Sequence, residues 1–356
     1  MEAIIKKIEL EKEPRILIVS DIHGNLDLFK KLLTKARYDA KEDYLFILGD
    51  FVEKGPNSLD ALHYVMELSK EKNCHVLKGN CEIIFQNIYE RNNEEDFNYF
   101  RWNGYTLLRE MCKESKINLD SNITLKETLD ILKNDFSKEY DFLKSLPTVI
   151  ETDDYIFTHA GIPSSETDDA KNYLRINEFN NIASRQKKMT IVGHYPSVNY
   201  SNKYLNYKPH FNYTKNIISI DGGNIVKSAG QLNMLIIKNN DISSIFIDNL
   251  PKYKVKDDQI VSSQDSFVIN YPFTQIEVLE DLGEFKLCKS LHNNRTLKIP
   301  SKFIYKKGDE FHTYDTTNYK HTVYVGDTVS LYYKTSKLSL VKFQGVLGWI
   351  KNELIF

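Results

Sequence analysis

Five apolar runs in the first two hundred residues end alike. Ile16-Leu17-Ile18-Val19 leads into Ser20-Asp21-Ile22-His23-Gly24-Asn25. Tyr44 to Leu48 leads into Gly49-Asp50, and His75-Val76-Leu77 into Lys78-Gly79-Asn80-Cys81-Glu82. Tyr155-Ile156-Phe157 leads into Thr158-His159, and Met189 to Val192 into Gly193-His194. Short unbroken apolar runs closed by turn residues predict buried strands. Leu26, Phe29, Leu32 and Leu33 fall at helical spacing, which predicts a helix over 26–36 with Asn25 as its N-cap. A similar pattern predicts a helix near 59–70. Strands alternating with helices over 15–80 imply parallel pairing with right-handed crossovers.

A helical insert is expected from about 82 to 146. Beyond Thr148 the pattern becomes strand-like. Ile217 to Gly223, Leu232 to Ile237 and Ile242 to Ile247 predict a second sheet packed on the first. The lead-in 1–14 predicts one extra edge strand between Ile4 and Leu10. Polar residues from Lys254 to Asp265 predict a linker. Short β-rich runs follow and close on Gly348-Trp349-Ile350. The expected organisation is a domain over 1–250, with its insert at about 82–146, and a separate β-rich domain over 266–356.

Each of the five runs delivers Asp, His or Asn at its C-terminal end, where open α/β sheets place their sites. One Asp-x-His is an ordinary turn with a surface histidine. Five such ends together point to a shared cation held by oxygen and imidazole donors.

Composition changes this picture little. Hydrophobic residues make up 41% of the 356 and charged residues 27%, as in ordinary globular proteins. A net charge of −2 gives no footprint for duplex nucleic acid. The first residues lack the apolar core of a signal peptide, and no run approaches the ~20 apolar residues of a membrane span. Four cysteines without CxxC pairing fit a reducing, cytoplasmic compartment.

The blocks Asp21-x-His23, Gly49-Asp50, Gly79-Asn80-Cys81-Glu82, His159 and Gly193-His194, in this order, resemble the calcineurin-like metallophosphoesterase superfamily. Gly24 and the Ala160-Gly161 pair point to the phosphoprotein phosphatase branch, with bacterial serine/threonine phosphatases and symmetrical diadenosine tetraphosphatases. The resemblance implies an α/β fold: a two-sheet β-sandwich flanked by helices, with a helical cap. The closing Gly-Trp-Ile resembles bacterial SH3-like barrels. The family site implies two divalent cations (Mn, Fe or Zn, with Mn favoured), bound by Asp21, His23, bridging Asp50, Asn80, His159 and His194. It also implies hydrolysis of a phosphate ester by metal-activated hydroxide. Trp102-Asn103-Gly104 resembles a Trp-x-Gly-Gly-like segment near the active site of related bacterial phosphatases.

Two departures stand out. Where the family pairs an Asp with a His as general acid, this chain has Glu53 and Cys81, so Asp50, Cys81 and Glu53 are the expected catalytic residues. Where the family grips phosphate with Arg, Lys54 stands instead and keeps the charge without the fork geometry. Asn172-Tyr173-Leu174-Arg175 resembles the segment carrying a second phosphate-binding Arg. Lys54, Arg175 and Asn80 are therefore the expected phosphate contacts. The first expectation is a serine/threonine protein phosphatase-like enzyme. The alternatives are a nucleotide or dinucleoside polyphosphate hydrolase, and a metal-binding scaffold. Expected partners are a phosphorylated protein or nucleotide substrate and a ligand of the C-terminal β domain, with neither duplex nucleic acid nor membrane.

Overall fold

The structure is a computed structural model that describes residues 1–11, 14–91, 94–102, 104–239 and 241–356. It divides into two compact units, Met1–Pro196 with Pro209–Asp248, and Ser197–Lys208 with Asn249–Phe356.

The first unit begins with β1 (Ile5–Lys7), β2 (Arg15–Val19), α1 (Leu26–Ala36), β3 (Asp43–Ile47), α2 (Ser58–Leu68) and β4 (Cys74–Val76). β2, β3 and β4 pair in parallel, as the alternating pattern requires. Five helices follow: α3 (Asn80–Arg91), α4 (Glu94–Trp102), α5 (Leu107–Glu114), α6 (Leu125–Asp135) and α7 (Ser137–Ser145). β5 (Val149–Glu151), β6 (Tyr155–Thr158) and β7 (Met189–Val192) complete the strands that reach the site. β1 lies at one edge of their sheet.

The two sheets differ from the expected grouping. Ile217–Ser219 joins β7 in parallel, while Leu232–Lys238 and Asp241–Ile247 extend the sheet of β2. A core of Ile16, Ile18, Phe46, Phe157, Ile191 and Leu235 draws on strands of both sheets. Phe46 and Phe157 stack at 3.9 Å within it. The opposite face of the β2 sheet buries α1 through Leu28, Phe29, Leu32 and Leu33, and shares its core with the insert helices through Phe85, Leu107, Met111, Leu129 and Leu132. The helical run over the insert is thus a continuation of the main core.

Local chemistry sets the helix starts. Thr124 and Glu127 form a reciprocal capping box on α6. α2 has no side-chain cap of its own; the Glu110 carboxylate of α5 accepts the Ser58 and Leu59 N–H groups at 2.9 and 2.7 Å. Asn25 precedes α1 but makes no cap hydrogen bond; its Nδ2 donates to Asn224 Oδ1 at 3.0 Å.

The second unit is built of antiparallel strands. One five-stranded sheet runs Lys252–Lys254, Thr328–Lys334, Leu338–Phe343, Val346–Lys351 and Leu205–Asn206. A second comprises Thr296–Pro300, Phe285–Ser290, Gln275–Asp281, Glu310–Thr313 and Ile304–Lys307. Residues 197–208 therefore belong to this unit, whereas a single cut near 250 assigns them to the first. The polar stretch read as a linker is built in as well. Lys252–Lys254 pairs with Thr328–Ser330, Val255 is buried, and Gln259 bridges to Val323. Hydrogen bonding anchors it there without apolar periodicity.

Candidate metal centre

β2, β3 and β4 of one sheet and β6 and β7 of the other bring their C-terminal ends to one place. Backbone bonds tie the turns together: Asp21 N–H to Gly49 O (3.1 Å), His23 N–H to Asp50 O (2.9 Å), and Gly193 N–H to His159 O (2.8 Å). The turns are held in unusual conformations. Asp21, His23, Asp50, Glu53, Lys54 and His194 all have φ between 48° and 69°, a region L-residues with side chains rarely adopt. Such outliers persist only where surrounding contacts over-determine them, and they concentrate at functional sites. Two glycines allow the close approach. A Cβ on Gly79 would lie 2.3 Å from Asp50 Oδ1, and one on Gly193 would lie 1.9 Å from Ser20 Oγ.

The donors converge. Asp21 Oδ1 lies 3.7 Å from His23 Nε2, and Asp50 Oδ2 lies 4.0 Å from it. On the other side of Asp50, His159 Nε2 lies 3.4 Å from Oδ1 and 3.1 Å from Asn80 Oδ1. His159 Nδ1–H donates to the Leu48 carbonyl at 2.8 Å. In the neutral ring this leaves the Nε2 lone pair facing two oxygen acceptors. Acceptors aimed at one another call for a cation between them. Metal–donor bonds of about 2.0–2.2 Å place neighbouring donors roughly 3–4 Å apart, and these spacings match. Asp21, Asp50 and His159 form one group able to hold an ion, and His23, Asp50 and Cys81 another. Asp50 belongs to both.

The electrostatics point the same way. Asp21, Asp50, Glu53, Glu82 and Asp221 are all buried. Burial, then the Asp50 charge, pushes Asp21 up. Burial also pushes Asp50 up, but His159, Lys54 and His23 outweigh it and hold that carboxyl below its usual range. Burial and nearby Asp21 raise Asp221 well above the carboxylate range. Burial brings His23 and His194 down to about 3, so both rings are neutral, the form that ligates. Five buried acids in one place are costly unless positive charge joins them.

The other expected residues are more spread. The His194 ring lies 5.1 Å from that of His159, and its Nε2 meets Asn177 Oδ1 at 3.3 Å, while its backbone N–H donates to Asp21 Oδ2 at 2.9 Å. Lys54 Nζ stands 3.4 Å from His23 Nε2 and 4.0 Å from Asp50 Oδ2. Arg175 is exposed and close enough to His194 to lower its pKa.

Glu53 and Cys81 have different partners. The Cys81 thiol donates to Asp50 Oδ2 at 3.0 Å, and burial and the Asp50 charge push it well above its ordinary value. Glu53 Oε1 accepts the Leu107 N–H at 2.9 Å, at the start of α5. Burial raises that carboxyl to about 8. Of Trp102-Asn103-Gly104, Asn103 lies outside the described residues.

Three supporting residues escaped the reading of the chain. Glu82, which closes the Gly79-Asn80-Cys81-Glu82 motif, accepts four backbone N–H groups: Gly79 (2.7 Å), Asp50 (2.9 Å), Phe51 (3.0 Å) and Val52 (3.4 Å). Asn224 donates to the Ile22 carbonyl at 2.8 Å. Asp221 sits in Ile220-Asp221-Gly222-Gly223, which reads as a glycine-punctuated strand.

A sequence profile described as calcineurin-like phosphoesterase matches residues 14–216. A symmetrical bis(5'-nucleosyl)-tetraphosphatase of Buchnera aphidicola subsp. Schizaphis graminum is 29% identical over 161 residues, 44% of this chain and 49% of that protein. One of Serratia proteamaculans is 34% identical over 82 residues, 22% of this chain and 28% of that protein. The chain spans about half or less of the length of these relatives. A protein serine/threonine phosphatase structure from Saccharomyces cerevisiae aligns over 70% of this chain and 85% of its own, at 14% identity and a TM-score of 0.47.

Proposed function

The chain belongs to the calcineurin-like phosphoesterase family, and from that premise we propose that it is a metal-dependent phosphoesterase working with two divalent cations. The observation that carries this reading is the Asp50 carboxylate, whose Oδ2 lies 4.0 Å from His23 Nε2 and whose Oδ1 lies 3.4 Å from His159 Nε2, with Asp21 and Asn80 beside these rings. Asp21, His23 and Asp50 would hold one ion, and Asp50, Asn80, His159 and His194 the second. Mixed oxygen and imidazole donors suit Mn, Fe or Zn, and we favour Mn. When bound, the ions polarise the phosphoryl oxygens and make water a better nucleophile. Lys54 supplies a cation beside Asp50, and Arg175 a second near His194, to hold the ester's phosphate. Asn80 steers the remaining oxygen through its amide.

Two substrate classes fit this machinery, phosphoserine or phosphothreonine proteins and dinucleoside polyphosphates. Cys81 favours the second. Its thiol faces a carboxylate and is held protonated by burial, so it serves poorly as an acid for an alkoxide. General acid help is worth about 10²–10⁴-fold where it exists. A nucleotide or aryloxide leaving group does without it.

With Mn, turnover of diadenosine tetraphosphate and p-nitrophenyl phosphate should exceed that of a phosphoserine peptide by about 10²-fold or more. Cys81→His should raise the phosphoserine rate, and Cys81→Ser should leave the aryl phosphate rate nearly unchanged. Equal turnover of phosphoserine by the parent chain overturns the leaving-group argument, and hydrolysis of none of the three leaves a metal-binding scaffold. For the second unit we propose an SH3-like sheet closing on Gly348-Trp349-Ile350, and for the whole chain a reducing, cytoplasmic setting, in keeping with four buried free cysteines.

A further inference from the structure

The second unit carries a concavity of about 590 Å³ lined by residues of both its five-stranded sheets. Its floor is apolar: Phe285, Leu287, Leu297, Leu338 and Trp349. The one polar atom of the indole is satisfied, since Trp349 Nε1–H donates to Thr317 O at 2.8 Å. The Phe285 ring leans on the indole at 5.8 Å. A floor of this kind takes an apolar group and offers it nothing polar to bind.

The rim is cationic. Lys298, Lys320 and Lys337 line the same concavity and are exposed. None of their ammonium groups forms an ion pair with the described residues. Glu284 is the one acid of the lining, and its carboxylate already accepts the Ser336 N–H at 3.0 Å and the Ser336 hydroxyl. Three free cations around an apolar floor leave the site complementary to a ligand that is anionic at its edges and apolar at its centre.

We propose that this concavity binds an acidic peptide segment of a partner protein, with one large aliphatic or aromatic side chain seated on Trp349 and Phe285 and Asp or Glu residues on either side facing the three lysines. An inorganic anion leaves the floor uncovered, and a neutral apolar peptide leaves the lysines unmatched. The anchor in a desolvated pocket carries most of the affinity, and the rim charges set the choice of partner.

The test is selection of random dodecapeptides displayed on phage against the full chain, followed by anisotropy titration of the enriched sequence as a labelled synthetic peptide. The enriched sequence should carry a Leu, Phe, Tyr or Trp flanked by at least two acids. Affinity should fall with added salt, and by up to about fivefold per lysine in Lys298→Glu, Lys320→Glu and Lys337→Glu. Lys→Arg at the same positions should retain binding. All three side chains are exposed, so unchanged circular dichroism and Tm should accompany the loss. Enrichment of nothing, enrichment of sequences without acids, or binding indifferent to the three Lys→Glu changes overturns the proposal. Concentration-dependent dimerisation abolished by Lys→Glu would also overturn it, because the occupant would then be a second copy of the chain.

Discussion

Replacing Glu82 by Gln tests how the metal-centre turns are held in place. Glu82 is fully buried, and its two oxygens accept the N–H groups of Gly79 and Asp50 on one side and of Phe51 and Val52 on the other. Glutamine keeps one oxygen and turns the other into a donor, so two buried N–H groups lose their acceptor and face an NH₂. Each unmet buried donor costs about 1–3 kcal/mol, and charge-assisted bonds lie at the upper end. The expected loss is roughly 3–5 kcal/mol, against a typical total of about 5–15 kcal/mol. For a unit of this size that lowers Tm by roughly 10 °C. Thermal unfolding of the chelator-treated chain reads the structural cost, and Mn retention reads the effect on Asp50 and Asn80. Glu110→Gln provides the contrast, since that half-buried carboxylate serves two N–H groups rather than four. A Glu82→Gln chain melting within about 2 °C of the parent and holding its full complement of Mn would mean that Glu82 does not hold these turns.

Two further predictions concern other parts of the molecule. Lys54→Ala and Arg175→Ala should each raise KM and weaken inhibition by inorganic phosphate by roughly tenfold, the value of one charge-assisted contact; an unchanged inhibition constant in Arg175→Ala removes that residue from the site. His321 is buried with Nε2 on the Val346 carbonyl at 3.1 Å, and burial lowers its pKa to about 4. Between about 6.5 and 4 the unfolded chain binds a proton that the folded second unit refuses, so stability falls as pH falls through that window, by up to roughly 3 kcal/mol. Denaturant unfolding followed by tryptophan fluorescence at pH 7 and pH 5 should show a smaller difference in His321→Gln, and an equal difference contradicts the assignment.

The metal-ligand candidates were legible because each ends an apolar run, and a strand followed by Gly, Asp, His or Asn is a local signal. The parallel order of β2, β3 and β4 followed from the helices between them. Long-range grouping was less visible. Ile217–Ser219 and Leu232–Lys238 look alike in sequence, yet they enter different sheets, because partner choice depends on what lies across the core. Residues 197–208 give no local sign that Leu205 and Asn206 complete a sheet whose other strands lie beyond residue 250. Glu53 and Cys81 occupy neighbouring places in the motifs, but the bonds of one run to α5 and of the other to Asp50; only side-chain directions decide that. Glu82 and Asn224 act on backbone groups distant in sequence, and their residue types alone say nothing of it.

A pair of ions sharing the Asp50 carboxylate can be counted in chelated, Mn-reloaded protein. Elemental analysis alongside p-nitrophenyl phosphate turnover should give two ions per parent chain, and less than one with lost hydrolysis in Asp50→Asn. A parent chain that takes up no metal, or an Asp50→Asn chain that keeps both ions and its activity, would rule out the shared pair.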